Sequence, residues 1–594
     1  MPAWLIATLA VPLVGAVLVS VLSSLGRDVV RWIALATTIV TLLLTGVVVA
    51  NFPTADEATA EFARYDANQN GAIEAEEVET PDQFASLMRG LDENRDGKLS
   101  AAEFTSNYAV TDLPWLGTAS GLDIRFSVGL DGLGIYLFGL SALLMVTAVL
   151  VSWEAISDRA HLFYAMLLML EFGCLGVFAA RDIMLFYVFF EFTLIPLFFL
   201  IGIWGSEDRR YAAVKFFLFT LAGSVLTFLG LLTIVLWHAL QDGPNHYLTF
   251  SIPTLTAALR ETPLPGTLQF WVFLALFAGF AIKVPLFPLH TWLPLAHVQA
   301  PTAGSVILAG VLLKIGTYGF ARFSIPMLPE ATVQCMPWIL WLSVGGIIYG
   351  ALVALAQSDI KRLIAYSSVS HLGYSMLGLF ALNSVGLHGG TLQMINHGLS
   401  TGGLFALVGM VYERYHTREI AKLGGLARRT PILAFFMIVF TFSSIGLPGL
   451  NGFTGEILIL LGMFQRAFAE TPAVLVDQYK IISVLSVSGV VLGAWYMLYL
   501  VQRVFFGPLK EPHEAGAEHH EVRDMNFREI CAVLPLTVFV LWIGLHPDLF
   551  RQRMEPTLNR ITAVTKQPFL DRYNASETAS TPAPTDPENF NRVR

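Results

Sequence analysis

The strongest constraint on this chain is a pair of interrupted hydrophobic segments, each carrying one charged residue deep inside it. The first reads AGFAIKVPLFPLH and sets Lys283 two residues before Pro285. The second reads SSIGLPGLNGFTGEILIL and sets Glu456 beyond the Gly446-Leu447-Pro448-Gly449 break. An ionisable group in hydrocarbon costs about 2.5 to 3.5 kcal/mol on insertion scales, so it is rarely kept without a use. Helix breaks at membrane depth are tolerated only where protein or a water-filled cavity surrounds them. Paired interrupted helices in corresponding halves of a transporter mark an ion or substrate path. The pattern predicts a protein that moves a charged species across a membrane.

Of the 594 residues, 55% are hydrophobic and 14% charged, which places the chain in the membrane class with the lipid bilayer as its solvent. Apolar stretches long enough to span about 30 Å predict about fourteen helices, an all-α integral membrane protein. They run from residues 2–22 to 529–547, with the broken ones near 269–294 and 431–463. The chain divides into helices 1–2 (residues 1–51), a polar insert (52–115), the remaining helices (116–548) and a polar tail (549–594), which reads as disordered from about 566. Arg209, Arg210, Lys361, Arg362, Arg414, Arg418, Lys422, Arg428 and Arg429 fall on one side, which makes that side cytoplasmic and the N-terminus and insert extracytoplasmic. The first apolar run reads as a retained helix. Cys174, Cys335 and Cys531 are scattered, so no iron–sulfur or zinc spacing exists. No dinucleotide fingerprint and no sign of a nucleic-acid partner appear, and no catalytic redox residue is expected.

The insert holds DANQNGAIEAEE from Asp66 and DENRDGKLSAAE from Asp92. Each fits the twelve-residue EF-hand loop, with oxygen ligands at positions 1, 3 and 5, Gly at 6 and Glu at 12. The candidate calcium ligands are Asp66, Asn68, Asn70, the Ala72 carbonyl and Glu77, then Asp92, Asn94, Asp96, the Lys98 carbonyl and Glu103. Two matches in tandem, with Ile73 and Leu99 placed to join a short β-bridge, predict an EF-hand-like pair holding structural Ca2+. The bland alternative is an acidic, Asn-rich solvated loop. A second polar loop, 508–527, carries His513, His519 and His520 and reads as solvated rather than as a metal site.

Polar and ionisable groups recur at membrane depth: Glu191 in LFYVFFEFTLIPLFF, Lys283, Lys314 in GVLLKIGTYG, His371 in SSVSHLGYS, His397 in MINHGLSTG and Glu456. Glu171, His290 and His297 are further candidates that read equally as hydrogen-bonded core. A lysine in a low-dielectric site loses affinity for its proton, and an adjacent carboxylate restores it. Histidines relay protons near neutral pH. Such a set is what a proton path needs, whereas sodium calls for carboxylates or carbonyls clustered at one point.

These residues lie inside FAIKVPLFPLHTWLPLAHVQAPTAGSVILAGVLLK, AQSDIKRLIAYSSVSHLGY, INHGLSTGGLFALVGMVYERYHTR and LPGLNGFTGEILIL. The strings closely resemble the antiporter-like membrane subunits of proton-pumping NADH:quinone oxidoreductase, respiratory complex I, the M-type above all. The likeness covers about 1–50 and 115–548. It implies two inverted five-helix repeats whose broken helices, 7 and 12, meet at a proton path. It implies that Glu191 pairs with Lys283 in one half-channel, that Lys314 and His371 continue the axis with His397 nearby, and that Glu456 closes the second half-channel. It also implies L-type and N-type neighbours, partner chains that hold NADH, FMN, iron–sulfur clusters and quinone, and a bacterial inner membrane. An acid at 456 and a chain that ends soon after helix 14 favour the M-type. Two features depart from the family pattern: Leu295 stands where an Asp is usual, and the insert is extra. The rival readings are a cation/proton antiporter or membrane-bound hydrogenase subunit of the same fold, or a calcium-regulated channel.

Overall fold

The computed structural model describes all residues except Glu79, Arg89, Arg95, 118–120, 242–246, 470–475, 513–521 and 581–594; for 81–83, 86, 476 and 572–580 only the backbone is described. His513, His519 and His520 of the second polar loop therefore lie outside the described residues.

Eleven described helices are long and apolar enough to cross a membrane, beginning with Pro2–Leu25 and Arg27–Ala50 and ending with Asp477–Phe505 and Phe527–Leu545. The shorter Ile135–Val151, the more polar Ile360–Phe380 and the divided Pro431–Ser444/Asn451–Phe468 complete the predicted order of spans. The seventh span is divided too: Gly266–Lys283 ends at the lysine, irregular turns cover Pro285 and Pro288, and Trp292–Gln299 resumes the helix. Proline ends a helix because it lacks the N–H and clashes with the preceding turn.

Burial sorts the helices into shells. The outer ones expose large apolar side chains such as Leu43, Trp338 and Val491, as lipid-facing surfaces do. Thr302–Met327 and Ser384–Tyr415 are enclosed along the whole of their most apolar stretch. These two central helices cross where Gly310 meets Gly398; a Cβ on Gly398 would lie 2.8 Å from the Gly310 carbonyl oxygen and 2.5 Å from Leu140. Small residues at a crossing let two backbones approach closely.

The insert has its own small core of Phe62, Ile73, Val78 and Leu99, packed by Phe84, Leu91 and Phe104. Thr54 and Glu57 form a capping box that starts helix Ala55–Tyr65. Strand β1 (Ala72–Ile73) pairs antiparallel with β2 (Leu99–Ser100), Ile73 opposite Leu99. The sequence reading places no sheet beyond it, yet β3 (Tyr108–Leu116) and β4 (Leu122–Leu130) form a hairpin, and β5 (Leu248–Thr249) adds in parallel to β4. The third span accordingly begins at Ile135 rather than near residue 128.

The expectation of a disordered tail is corrected. Residues Pro547–Ser580 form one helix, which lies as a strap across one face of the bundle. Its polar composition hides an apolar stripe, Phe550, Met554, Leu558, Ile561 and Phe569, which together with buried Thr565 recurs every three or four residues and stays on one buried face. Arg553 donates to the Phe52 carbonyl, Thr557 accepts from Gly132, and Arg466 of the twelfth span lies over the Phe569 ring at 4.1 Å. Arg560 forms a bidentate pair with Glu93 of the insert. The strap thus ties the insert to the start of the third span and to the twelfth span.

Burial alone would raise the Glu93 carboxyl, but the charge and hydrogen bonds of Arg560, the charge of Arg181 and the Asn107 hydrogen bond together hold it below the usual carboxylate range. A depressed carboxyl contributes stability present above the ordinary glutamate range and lost as pH falls through its folded value. Limited proteolysis of the strap should therefore accelerate below about pH 4. At neutral pH, Arg560→Gln should do the same by removing the main counter-charge of buried Glu93, which then keeps only the Asn107 amide and the Arg181 charge, a cost of up to about 3–5 kcal/mol.

Candidate functional site

Two enclosed helices bring the first pair of charges together. Lys314 Nζ lies 2.7 Å from His397 Nδ1. A π-helical turn at Leu308–Leu312 precedes the lysine, and its Ala309 carbonyl accepts a hydrogen bond from Nζ. Such turns disturb the regular ladder and recur at functional positions.

The His397 ring stands 5.7 Å, centroid to centroid, from that of His371 on the tenth span. His371 Nδ1 lies 3.3 Å from Glu456 Oε1, while its Nε2 lies 3.1 Å from the Ser444 hydroxyl and 3.2 Å from the Tyr496 hydroxyl. Gln393 donates to Glu456 Oε1 at 3.4 Å. Lys314, His397, His371 and Glu456 are all buried. They form one continuous series from the eighth span to the second helix break.

That break is shaped by Gly446 and Gly449, with φ of +74° and +91°, conformations that side chains other than glycine rarely take. A Cβ at Gly446 would also meet Glu456 Oε2 at 2.8 Å, whereas one at Gly449 would meet nothing within 4 Å. Ser443 and Asn396 anchor Asn451, the first residue of the second half-helix.

At the first break the geometry differs. Lys283 Nζ rests 4.6 Å from the centre of the Phe190 ring and has no hydrogen-bond partner among the described residues. Glu191, the next residue, acts on Lys283 electrostatically and faces Ser224, but no ion pair within 4.0 Å joins it to the lysine. Glu171 is fully buried, with neither carboxylate oxygen hydrogen-bonded, and its charge and that of Lys283 both act on Cys174.

His297 lies flat on Phe405, centroids 4.5 Å apart, and feels the charges of Lys314 and of another buried lysine, Lys361. His290 sits apart, packed against Phe287 and Tyr349. Among the described residues no three His, Cys, Asp or Glu side chains gather as a metal centre. In the insert, Gly71 and Gly97 donate to Asp66 and Asp92, and Glu77 and Glu103 accept from Asn68 and Glu93 N–H groups.

The sequence profile described as "NADH:quinone oxidoreductase/Mrp antiporter, TM" matches residues 180–476. NADH-quinone oxidoreductase subunit M of Rhodobacter capsulatus is 42% identical over 451 residues, 76% of this chain and 83% of that protein. The chain belongs to this family of NADH:quinone oxidoreductase membrane subunits. NADH-ubiquinone oxidoreductase chain 4 of Arabidopsis thaliana is 40% identical over 76% of this chain and 85% of its own length. Respiratory complex I from Thermus thermophilus with bound NADH contains a chain that is 30% identical and superimposes with a TM-score of 0.74, covering 94% of this chain and 99% of that one. The Mrp complex from Dietzia sp. DQ12-45-1b, at 20% identity and a TM-score of 0.69, shares the fold over 94% of this chain and 52% of its own.

In the subunit M fold, sequence reasoning finds Lys314, His371, His397 and Glu456 but misses Tyr496, Ser444, Gln393 and Lys361. Tyr496 carries no local signal, since it lies 125 residues from His371. Lys361 reads as a loop charge because it stands at a helix start, yet it is buried and donates to the Ala300 carbonyl at 2.6 Å.

Gly446→Ala should lower the thermal midpoint of the detergent-purified chain more than Gly449→Ala. Both carry the left-handed cost, roughly 1–2 kcal/mol, but only the first presses on Glu456. Equal shifts would show that Glu456 is not held by this turn.

Proposed function

We propose that this chain carries protons across the membrane as the M-type subunit of a NADH:quinone oxidoreductase, with all redox chemistry in partner chains. The observation that carries the reading is the buried series Lys314–His397–His371–Glu456. Each neighbouring pair is close enough to pass a proton directly or through one water, and imidazoles exchange protons near neutral pH. NADH, FMN, iron–sulfur clusters and quinone belong to the partners, as do L-type and N-type neighbours in the bacterial inner membrane.

Glu191 and Lys283 receive the signal from quinone chemistry. Lys283 rests on Phe190, the neighbour of Glu191 in the chain, and a shift of the ammonium from the aromatic face toward the carboxylate changes its hold on the proton. The carboxylate stabilises the ammonium when near and releases the proton toward Lys314 when it moves away. Glu456 takes up the proton in the second half-channel. Glu171, His290 and His297 border this path.

The N-terminus, the insert and the strap lie on the extracytoplasmic side, following the positive charges of the opposite loops. There the two EF-hand-like loops hold Ca2+. Their donors (Asp66, Asn68, Asn70, the Ala72 carbonyl and Glu77; Asp92, Asn94, Asp96, the Lys98 carbonyl and Glu103) are all oxygen, as a hard cation requires. The role is structural: calcium stiffens the loop next to Glu93 and so supports the strap.

The test is NADH-driven proton uptake by inverted membrane vesicles. Lys283→Ala should lower proton transfer by about a hundredfold or more, the scale of one lost proton-transfer group, while the complex stays assembled. Normal pumping would remove Lys283 from the path. Chelating calcium with EGTA should lower the thermal midpoint and leave pumping intact; loss of transport control instead would favour the calcium-regulated channel. Co-purification of NADH:quinone reductase activity with the tagged chain separates this reading from an antiporter or hydrogenase assembly.

A further inference from the structure

Where the insert, the residues before Ile183, the end of Thr302–Met327 and the strap meet, they enclose a cavity of about 80 Å³. Its charged lining, among the described residues, is Arg181, Arg260, Arg322, Arg560, Glu93 and Asp131. Positive charge is in excess by two.

The two acids are already engaged. Asp131 receives Arg322 in a bidentate pair at 2.7 and 2.8 Å, and Glu93 receives Arg560. Arg181, only 8% exposed, donates to the Asn107 side-chain oxygen and to the Gly90 carbonyl, neither of which carries charge. Asp112, which also acts on Arg181, is held by Arg125 at 2.7 Å. Arg260 is exposed, makes no hydrogen bond or ion pair among the described residues, and feels both the like charge of Arg560 and the opposite charge of Glu93.

Arg181 is deeply buried, and the carboxylates that act on it, Glu93 and Asp131, are each already paired with another arginine, so their charge is shared. Four guanidinium groups against two carboxylates around one small polar cavity suit the planar, multidentate geometry of phosphate recognition. Thr557 adds a hydroxyl that accepts from the Gly132 N–H and keeps its proton to donate.

We propose that this cavity binds a phosphate group, supplied either as inorganic phosphate or as the headgroup of an anionic lipid, and that Arg181 and Arg260 are its principal ligands. The site is separate from the lysine–histidine series and does not depend on proton transfer. Bound there, the anion would join the insert, the bundle and the strap.

The experiment uses the full chain, purified and delipidated in detergent. Equilibrium dialysis with radiolabelled inorganic phosphate and native mass spectrometry with added phosphatidylglycerol form its two arms. Wild-type chain should retain one equivalent in at least one arm, and Arg260→Gln and Arg181→Gln should each weaken retention about tenfold, the scale of one lost charge-assisted pair. Arg260 is exposed, so its variant folds even if Arg181→Gln does not. Exposed Arg27→Gln should bind as wild type. Retention of inorganic phosphate assigns the free ion; retention of the lipid alone assigns the headgroup. No retention in either arm, or retention that Arg260→Gln leaves unchanged, overturns the proposal.

Discussion

A lysine ammonium and a histidine ring meet 2.7 Å apart between two helices that are enclosed along their central length, and much of the architecture serves to hold that contact. A charge at this depth is sustained only by neighbours that accept its protons and by protein that excludes lipid. The glycine crossing at Gly310 and Gly398 brings the two backbones close enough for Lys314 to reach His397. The π-helical turn ahead of the lysine provides the carbonyl that takes another of its donors. From there the series extends through aromatic stacking distance to His371 and through an ion-pair distance to Glu456.

The two helix breaks serve this series differently. At the second, left-handed Gly446 permits Glu456 to stand against the backbone while facing His371. At the first, the helix stops at Lys283 and leaves the ammonium over an aromatic ring instead of in an ion pair. A cation over an aromatic face is held more weakly than one paired with a carboxylate inside a protein. That difference makes the first break the more readily switched of the two.

Outside the bundle, the insert and the strap form a second system built on arginine–carboxylate pairs: Glu93 with Arg560 and Asp131 with Arg322. These pairs join segments hundreds of residues apart, so the polar periphery is as long-range in its connections as the core. Arg181, an arginine at a helix end when read in isolation, stands at the centre of this system once the chain is folded.

Local pattern determined a great deal. The order of spans, the two interruptions and the buried Lys, His and Glu residues follow from runs of apolar residues, from proline and glycine, and from the cost of charge in hydrocarbon, all of which act within a turn or two of the chain. The insert's paired strands likewise follow from loop spacing alone. Only the tertiary structure decided which charges meet. Lys314 reaches His397 and His371 reaches Glu456, whereas Lys283 and Glu191 stay out of ion-pair contact. The strap was hidden for a related reason: its stripe of Phe550, Met554, Leu558, Ile561 and Phe569 is diluted by polar residues, and it is stable as a helix because the bundle covers that stripe. Contacts across long sequence separations depend on how helices cross, and one glycine or one turn of π-helix at a crossing sets distances that no local window of sequence contains.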